Sequence, residues 1–299
     1  MVRARLLPIA VALVALAACA KVIGVDGLAI GECKGGVCED DPLTPPDEEE
    51  ASTPDVVAPP PFDGGPCSEH PGPPLVRVGT AENNFCIDST EVTFGHYAAF
   101  LAAGVDAAAQ PPECAWNATF APNGSGGDDF PVTGVDWCDA LAYCTWAGKY
   151  LCGRSEGSRK AGAVPQSEVS SYAVHQWMLA CSNGGANDYP YGTTHDPSAC
   201  NVGENDAGRA LPVGSKPNCE GSYRGVFDMV GNVWEWYDGP CRGDAGGPDA
   251  DASPANDECW LKGGSFINTG QNIDCRVDGL GSRRSDRTAF IGFRCCADD

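Results

Sequence analysis

The cysteines constrain this chain most. Sixteen of its 17 cysteines follow Cys19, and no two of them stand in a C-x-x-C pair. The four histidines, His70, His96, His175 and His195, are scattered rather than grouped. Metal-type spacing is therefore missing, and an even set of cysteines in an exported chain reads as a disulfide framework. Export is predicted by the first residues. Arg3 and Arg5 precede an apolar run over residues 6–16, too short to span a bilayer as a helix. Leu16-Ala17-Ala18-Cys19 then supplies small residues before a cysteine. Residues 1–18 read as a signal peptide ending in a bacterial lipobox, with Cys19 acylated as the mature N-terminus. An ordinary signal cleaved elsewhere is the alternative.

Residues 19–66 read as a tether. Residues 39–61, EDDPLTPPDEEEASTPDVVAPPP, are rich in proline and acid and hold no aromatic residue. Such a stretch buries too little apolar surface to offset its ordering entropy. Its prolines and like charges extend it, holding the rest of the chain away from the membrane. Cys33 and Cys38 are close enough for a small local loop. The formal charge of -22 excludes electrostatic binding to nucleic acid or to an anionic membrane surface. Any membrane contact is then through the lipid alone.

From Cys67 to the end the composition becomes that of one folded domain, residues 67–299. A hydrophobic content of 42% is enough for a core. Residues 84–88 read as a strand. Thr93 caps a helix with the stripe Phe94, Tyr97, Ala98 and Leu101, and Asp136 caps a second with Trp137, Ala140, Leu141 and Cys144. A third stripe is Val174, Trp177, Met178 and Cys181. Beyond it, glycine, proline and asparagine interrupt short apolar runs, so long irregular loops are predicted. The fold class is α+β, with a few helices on small antiparallel sheets. Cys200–Cys219 and Cys241–Cys259 are pairs suggested by proximity in sequence.

The motifs then accumulate in order: FCIDSTEVTFGHYAAFL (85–101), PVTGVDWCDALAYCTWAGKYL (131–151), ACSNGG (180–185), YPYG (189–192), ACNVG (199–203), PVGS (212–215), GVFDMVGNVWEW (225–236), LKGGSF (261–266) and IGFRCC (291–296). This series resembles the formylglycine-generating-enzyme, or sulfatase-modifying-factor, family. The resemblance covers roughly residues 84–297 and implies an irregular, loop-rich, disulfide-stapled fold of C-type-lectin-like topology. Residues 153–173 look like an insertion relative to it.

The resemblance also implies a chemistry. Active members oxidise a substrate cysteine to formylglycine with oxygen, using two cysteines that bind copper(I), an ion suited to soft thiolates. Those positions are Asn268 and Ile273 here, and neither offers sulfur. Cys275 is the only nearby substitute. By resemblance it pairs instead with Cys181, and Cys144 pairs with Cys295 or Cys296. A structural calcium is implied at Asp228, the carbonyls of Gly231 and Val233, and Glu235. A second site would use Asn201, the Val202 carbonyl and an oxygen near Asn205 or Asp206. Hard oxygens suit that ion; satisfaction of loop amides is the other role open to Asp228 and Glu235. Asp249, Asp251 and Asp257 lack EF-hand spacing and read as a solvated loop.

Trp234, Ser265, Asn268 and Arg276 are candidates to line a remnant groove, against the simpler reading of a packed tryptophan and a loop serine. Arg283, Arg284 and Arg287 form the one basic cluster, open to an anion or to neighbouring carboxylates. The expected function is an exported lipoprotein of the bacterial cell envelope with a noncatalytic domain that binds protein or glycan. The alternative is an oxidase acting on a cysteine substrate through a rearranged copper site.

Overall fold

The computed structural model describes residues 65–205, 207–242, 253–270, 273–277 and 281–298. The chain divides into two units, residues 1–57 and 58–299, and every described residue belongs to the second. The signal peptide, Cys19, Cys33, Cys38, the tether up to residue 64, Asp206, Asp249 and Asp251 lie outside the described residues.

The elements follow in chain order: β1 (Leu75–Gly79), β2 (Asn84–Asp88), α1 (Phe94–Ala102), α2 (Trp137–Trp146), β3 (Tyr150–Leu151), β4 (Arg154–Glu156), β5 (Arg159–Gly162), α3 (Gln176–Ser182), β6 (Trp234–Arg242), β7 (Glu258–Lys262), β8 (Ser282–Arg283), β9 (Ile291–Phe293) and β10 (Cys295–Ala297). One sheet has the order β1-β2-β10-β3, another β8-β7-β6-β9, and β4 pairs with β5 alone. The β6–β9 pairing is parallel and the rest are antiparallel. The α+β, loop-rich class read from the sequence is the class observed.

Local chemistry sets the helix starts. The Thr93 hydroxyl accepts the His96 N–H at 3.2 Å, and Asp136 accepts the Asp139 N–H at 2.9 Å while Asp139 accepts back at 3.1 Å. Each cap satisfies donors that the first helical turn leaves free. The α3 helix stops at Asn183, whose φ of 51° is left-handed. Two of the predicted stripes are corrected. In α1 it is Tyr97 and Phe100 that are buried, whereas Leu101 is 40% exposed, because α2 covers only one flank of a helix this short. Val174 lies before α3, which begins after His175 and is buried at every position.

One core cluster packs Tyr97, Phe100, Tyr143, Trp236 and Phe293 between α1, α2 and the second sheet. The other gathers Phe85, Ile87, Trp177, Met178 and Ile273 around α3. Full burial of such a side chain contributes ~1.5–3 kcal/mol. Within the inserted segment, β4 and β5 form a hairpin, and Val164 and Val169 beyond it pack with Tyr237 and Trp260.

Seven disulfides join Cys67–Cys86, Cys114–Cys138, Cys144–Cys295, Cys152–Cys296, Cys181–Cys275, Cys200–Cys219 and Cys241–Cys259. Cys295 and Cys296 are successive strand residues and so face opposite sides of the sheet. One reaches Cys144 on α2, and the other reaches Cys152 after β3.

Candidate functional site

The loop that follows β7 carries the positions where copper ligands are expected. Gly263 has a φ of 90°, and a Cβ there would stand 2.9 Å from the Met229 carbonyl oxygen. Only glycine fits that backbone without strain. The chain then buries Ser265 completely. Its hydroxyl and its N–H both donate to the Asn268 carboxamide oxygen, at 2.8 and 3.0 Å. The Asn268 carbonyl accepts the Gly203 N–H at 2.8 Å, tying this loop to the Asn201–Val202 segment. Asn268 is therefore a turn clasp. Ile273 is fully buried within the α3 cluster. Cys275 is in a disulfide with Cys181 and has no thiolate to offer.

The expected groove is corrected by burial. Trp234 is 8% exposed and Ser265 is 0% exposed, so neither lines an open surface. Arg276 is exposed, and its guanidinium pairs with Asp188. Two arginines of the basic cluster are held by carboxylates. Arg287 meets Asp136 at 2.8 Å and Asp139 at 3.0 Å, and Arg284 meets Asp257 at 3.2 Å.

Beneath that loop lies a buried ionic cluster. The Glu235 carboxylate accepts the Arg294 Nε–H at 2.9 Å and the Trp177 Nε1–H at 2.7 Å, and Arg294 Nη2 stands 2.8 Å away. Arg294 also donates to the carbonyls of Asp88, Phe227 and Asp228. Asp228, at a left-handed φ of 57°, accepts the Gly214 N–H at 2.6 Å. Burial pushes its carboxyl up to about 6. Glu91 is raised well above the usual carboxylate range, first by burial and then by the Asp228 charge. Three carboxyl groups thus surround one guanidinium.

Asn232 links this cluster to the Asn201 loop. Its amide N–H donates to Glu91 Oε1 at 2.9 Å, and its Oδ1 accepts from Asn201 Nδ2 at 3.0 Å and from the Leu211 N–H at 2.9 Å. Two buried oxygens of this network have no partner among the described residues, Glu91 Oε2 and Asn201 Oδ1.

These contacts decide how calcium fits. In the set Asp228, Gly231, Val233 and Glu235, the Glu235 oxygens are taken by Arg294 and Trp177, and Asp228 accepts the Gly214 N–H. In the Asn201–Val202 segment, the Val202 carbonyl accepts the Asn205 N–H at 3.0 Å, while Asn201 Oδ1 remains open. Partnerless hard oxygens match calcium in type. No group of three or more His, Cys, Asp or Glu side chains among the described residues is placed to hold a metal. The sequence reading missed Glu91 and Arg294. Glu91 had a signal, a lone acid within the stretch TEVTF, and Arg294 stands in the IGFRCC motif.

Comparison with known proteins bears on this arrangement. The chain is 29% identical over 184 residues to a protein of Bos taurus named inactive C-alpha-formylglycine-generating enzyme 2, covering 56% of this chain and 50% of that protein. It is 29% identical over 216 residues to the formylglycine-generating enzyme of Thermomonospora curvata, covering 62% of each. The bovine formylglycine-generating enzyme matches at 28% over 194 residues, 57% of this chain and 44% of that one. The chain therefore spans about half the length of the bovine relatives it matches. Among solved structures, PvdO from Pseudomonas aeruginosa aligns with a TM-score of 0.49 at 22% identity, over 78% of this chain and 92% of that one. The model of the sulfatase-modifying factor enzyme 1-like domain matches residues 47–299, and the chain belongs to that family.

Proposed function

We propose that this is a noncatalytic member of its family, exported as a lipoprotein through Cys19 and used to bind a protein or glycan at the bacterial cell envelope. One observation carries the reading: Cys275 is bridged to Cys181, while Asn268 and Ile273 stand where the family resemblance places copper thiolates. Linear copper(I) coordination needs two soft sulfur ligands, and this loop supplies none. The alternative, an oxidase with a rearranged site, loses its one nearby thiol to the bridge. A relative named as an inactive form, at 29% identity, agrees with a noncatalytic role.

Calcium is proposed as a structural ion only. Glu91 Oε2 and Asn201 Oδ1, buried and without a hydrogen-bond partner among the described residues, are its candidate side-chain ligands. Its charge would offset the excess of buried carboxylate around Arg294 and hold the Asn201 loop against the Glu91 segment that precedes α1.

The reading is tested with purified mature protein, copper(I), oxygen and a cysteine peptide, followed by mass spectrometry. The peptide is expected to remain unmodified. Copper-dependent formation of formylglycine would overturn the proposal. Cross-linking on intact cells then separates the partner classes: a recovered envelope protein supports one, and loss of retention after glycan removal supports the other.

A further inference from the structure

The binding feature least explained by family chemistry lies on the flank of α1 and α2, away from the loops described above. A cavity of ≈ 430 Å³ opens there between α2 and the segment that follows α1. Ligand pockets commonly fall within roughly 300–1,000 Å³. Its apolar wall is Val105, Pro111, Phe120, Leu141, Ala142 and Trp146. Cys138, bridged to Cys114, makes part of the floor and pins α2 to the facing segment. Phe100 stands behind two of these walls, with ring centroids 5.1 Å from Phe120 and 5.6 Å from Trp146. The walls are thus held by the core. Leu101 and Val105, at the end of α1 and just beyond it, are two of the four large hydrophobic residues exposed among the described residues.

The polar groups of the cavity define its selectivity. The Gln110 amide donates to the carbonyls of Ala107 and Asn117 at 2.9 and 2.7 Å. The Thr145 hydroxyl donates to the Leu141 carbonyl at 2.8 Å. Neither has a hydrogen to spare for a ligand. Asp106 is the only charged residue of the lining. One of its oxygens accepts the Ala108 N–H at 2.9 Å, and the other, on an exposed side chain, has no partner among the described residues. An apolar, aromatic-walled cavity with one free carboxylate oxygen complements an apolar body that carries a positive charge. An anionic ligand would meet Asp106 and the field of a chain whose formal charge is -22.

We propose that this cavity is a binding site for a small amphiphilic amine, its ring or branched alkyl body against Phe120 and Trp146 and its ammonium at Asp106. The ammonium also gains from the face of Trp146. This site is independent of the noncatalytic reading and of the calcium oxygens.

The test uses the mature protein with three probes of similar size: 2-phenylethylamine, 2-phenylethanol and 3-phenylpropionate. Binding is followed by calorimetry and by ligand-observed NMR. The amine is expected to bind saturably, about 5- to 10-fold tighter than the alcohol, as one charge pair at a solvated rim gives. Asp106→Asn is expected to remove that preference while leaving the alcohol unchanged. Ala142→Trp, which fills the cavity from its half-buried rim, is expected to abolish binding of both, with circular dichroism showing that the fold is kept. No saturation by the amine up to ~10 mM, an affinity below what so small a ligand in a formed pocket should reach, would overturn the proposal. So would equal binding of the carboxylate, a preference unchanged in Asp106→Asn, or unchanged binding in a folded Ala142→Trp protein.

Discussion

Glu235 and Arg294 form a buried ion pair, with Arg294 Nη2 2.8 Å from Glu235 Oε1 and both residues at most 1% exposed. The two lie 59 residues apart, Glu235 on β6 and Arg294 just past β9, the strand parallel to β6. Removing one partner of such a pair leaves an uncompensated charge inside the protein, which destabilises by about 3–5 kcal/mol. Arg294→Met should lie at or above that range, because Asp228 and Glu91 are also left without their counter-ion. The double variant Arg294→Met, Glu235→Leu should recover part of the loss. Urea denaturation of the three proteins checks this, and a double variant no better than Arg294→Met would refute the account.

The Cys181–Cys275 bridge closes 94 residues of chain. The chain-entropy relation for a loop of that length gives about 4–5 kcal/mol, as an upper value. Cys181→Ser should therefore lower stability by several kcal/mol and free the Cys275 thiol. It should not create an oxidase, since Ile273 still fills the second ligand position. Denaturation midpoints measure the first effect, and turnover of a cysteine peptide with copper tests the second.

Much of this fold was legible because its signals are local. Thr93 and Asp136 announced their helices through side-chain caps, and the even set of cysteines announced the framework. Partner choice was not local. Cys152 pairs with Cys296 only because Cys295 and Cys296 face opposite sides of β10, which pairing with β2 and β3 fixes. Glu235 reads as a free carboxylate within GNVWEW, but the tertiary fold brings Arg294 against it. Leu101 fits a helical stripe by spacing, yet it stays 40% exposed while its neighbour Phe100 takes the buried side. The cavity beside α2 shows helical spacing only on its α2 side, at Cys138, Leu141, Ala142 and Thr145; the other half of its lining comes from the segment after α1, which carries no such period.

Calcium supplies a sharper test of the buried oxygens. If Glu91 Oε2 and Asn201 Oδ1 hold the ion, millimolar calcium should raise the Tm and chelation should lower it. An ion that binds only the folded chain stabilises it by RT ln(1 + [L]/Kd), ~2.7 kcal/mol at a hundred times Kd. Glu91→Gln should abolish most of the calcium-dependent shift while keeping the hydrogen bond from Asn232. Differential scanning calorimetry with and without calcium checks both statements. An identical shift in the variant would place the ion elsewhere.

His175 predicts a pH dependence. It is fully buried, its ring lies 4.7 Å from that of Tyr237, and both ring nitrogens are without a hydrogen-bond partner. Burial, reinforced by the Lys262 charge, holds its pKa well below the ordinary imidazole value. The unfolded chain therefore binds a proton that the folded protein refuses. For a depressed group the stabilisation is complete above the unfolded pKa of ~6.5 and is lost as pH falls below it, by about 1.4 kcal/mol per pH unit until the folded pKa is reached. Asp139 and Asp228, raised by burial to about 7 and about 6, act in the opposite sense, so the wild-type curve alone does not isolate the histidine. The difference between wild type and His175→Phe does, since the carboxyl groups are common to both. Relative to the variant, the wild type should lose stability steadily from pH 6.5 to pH 5 and show no trend from pH 7 to pH 8. Urea titrations across that range measure the difference, and a flat line would mean that His175 takes up its proton equally in the folded and unfolded chains.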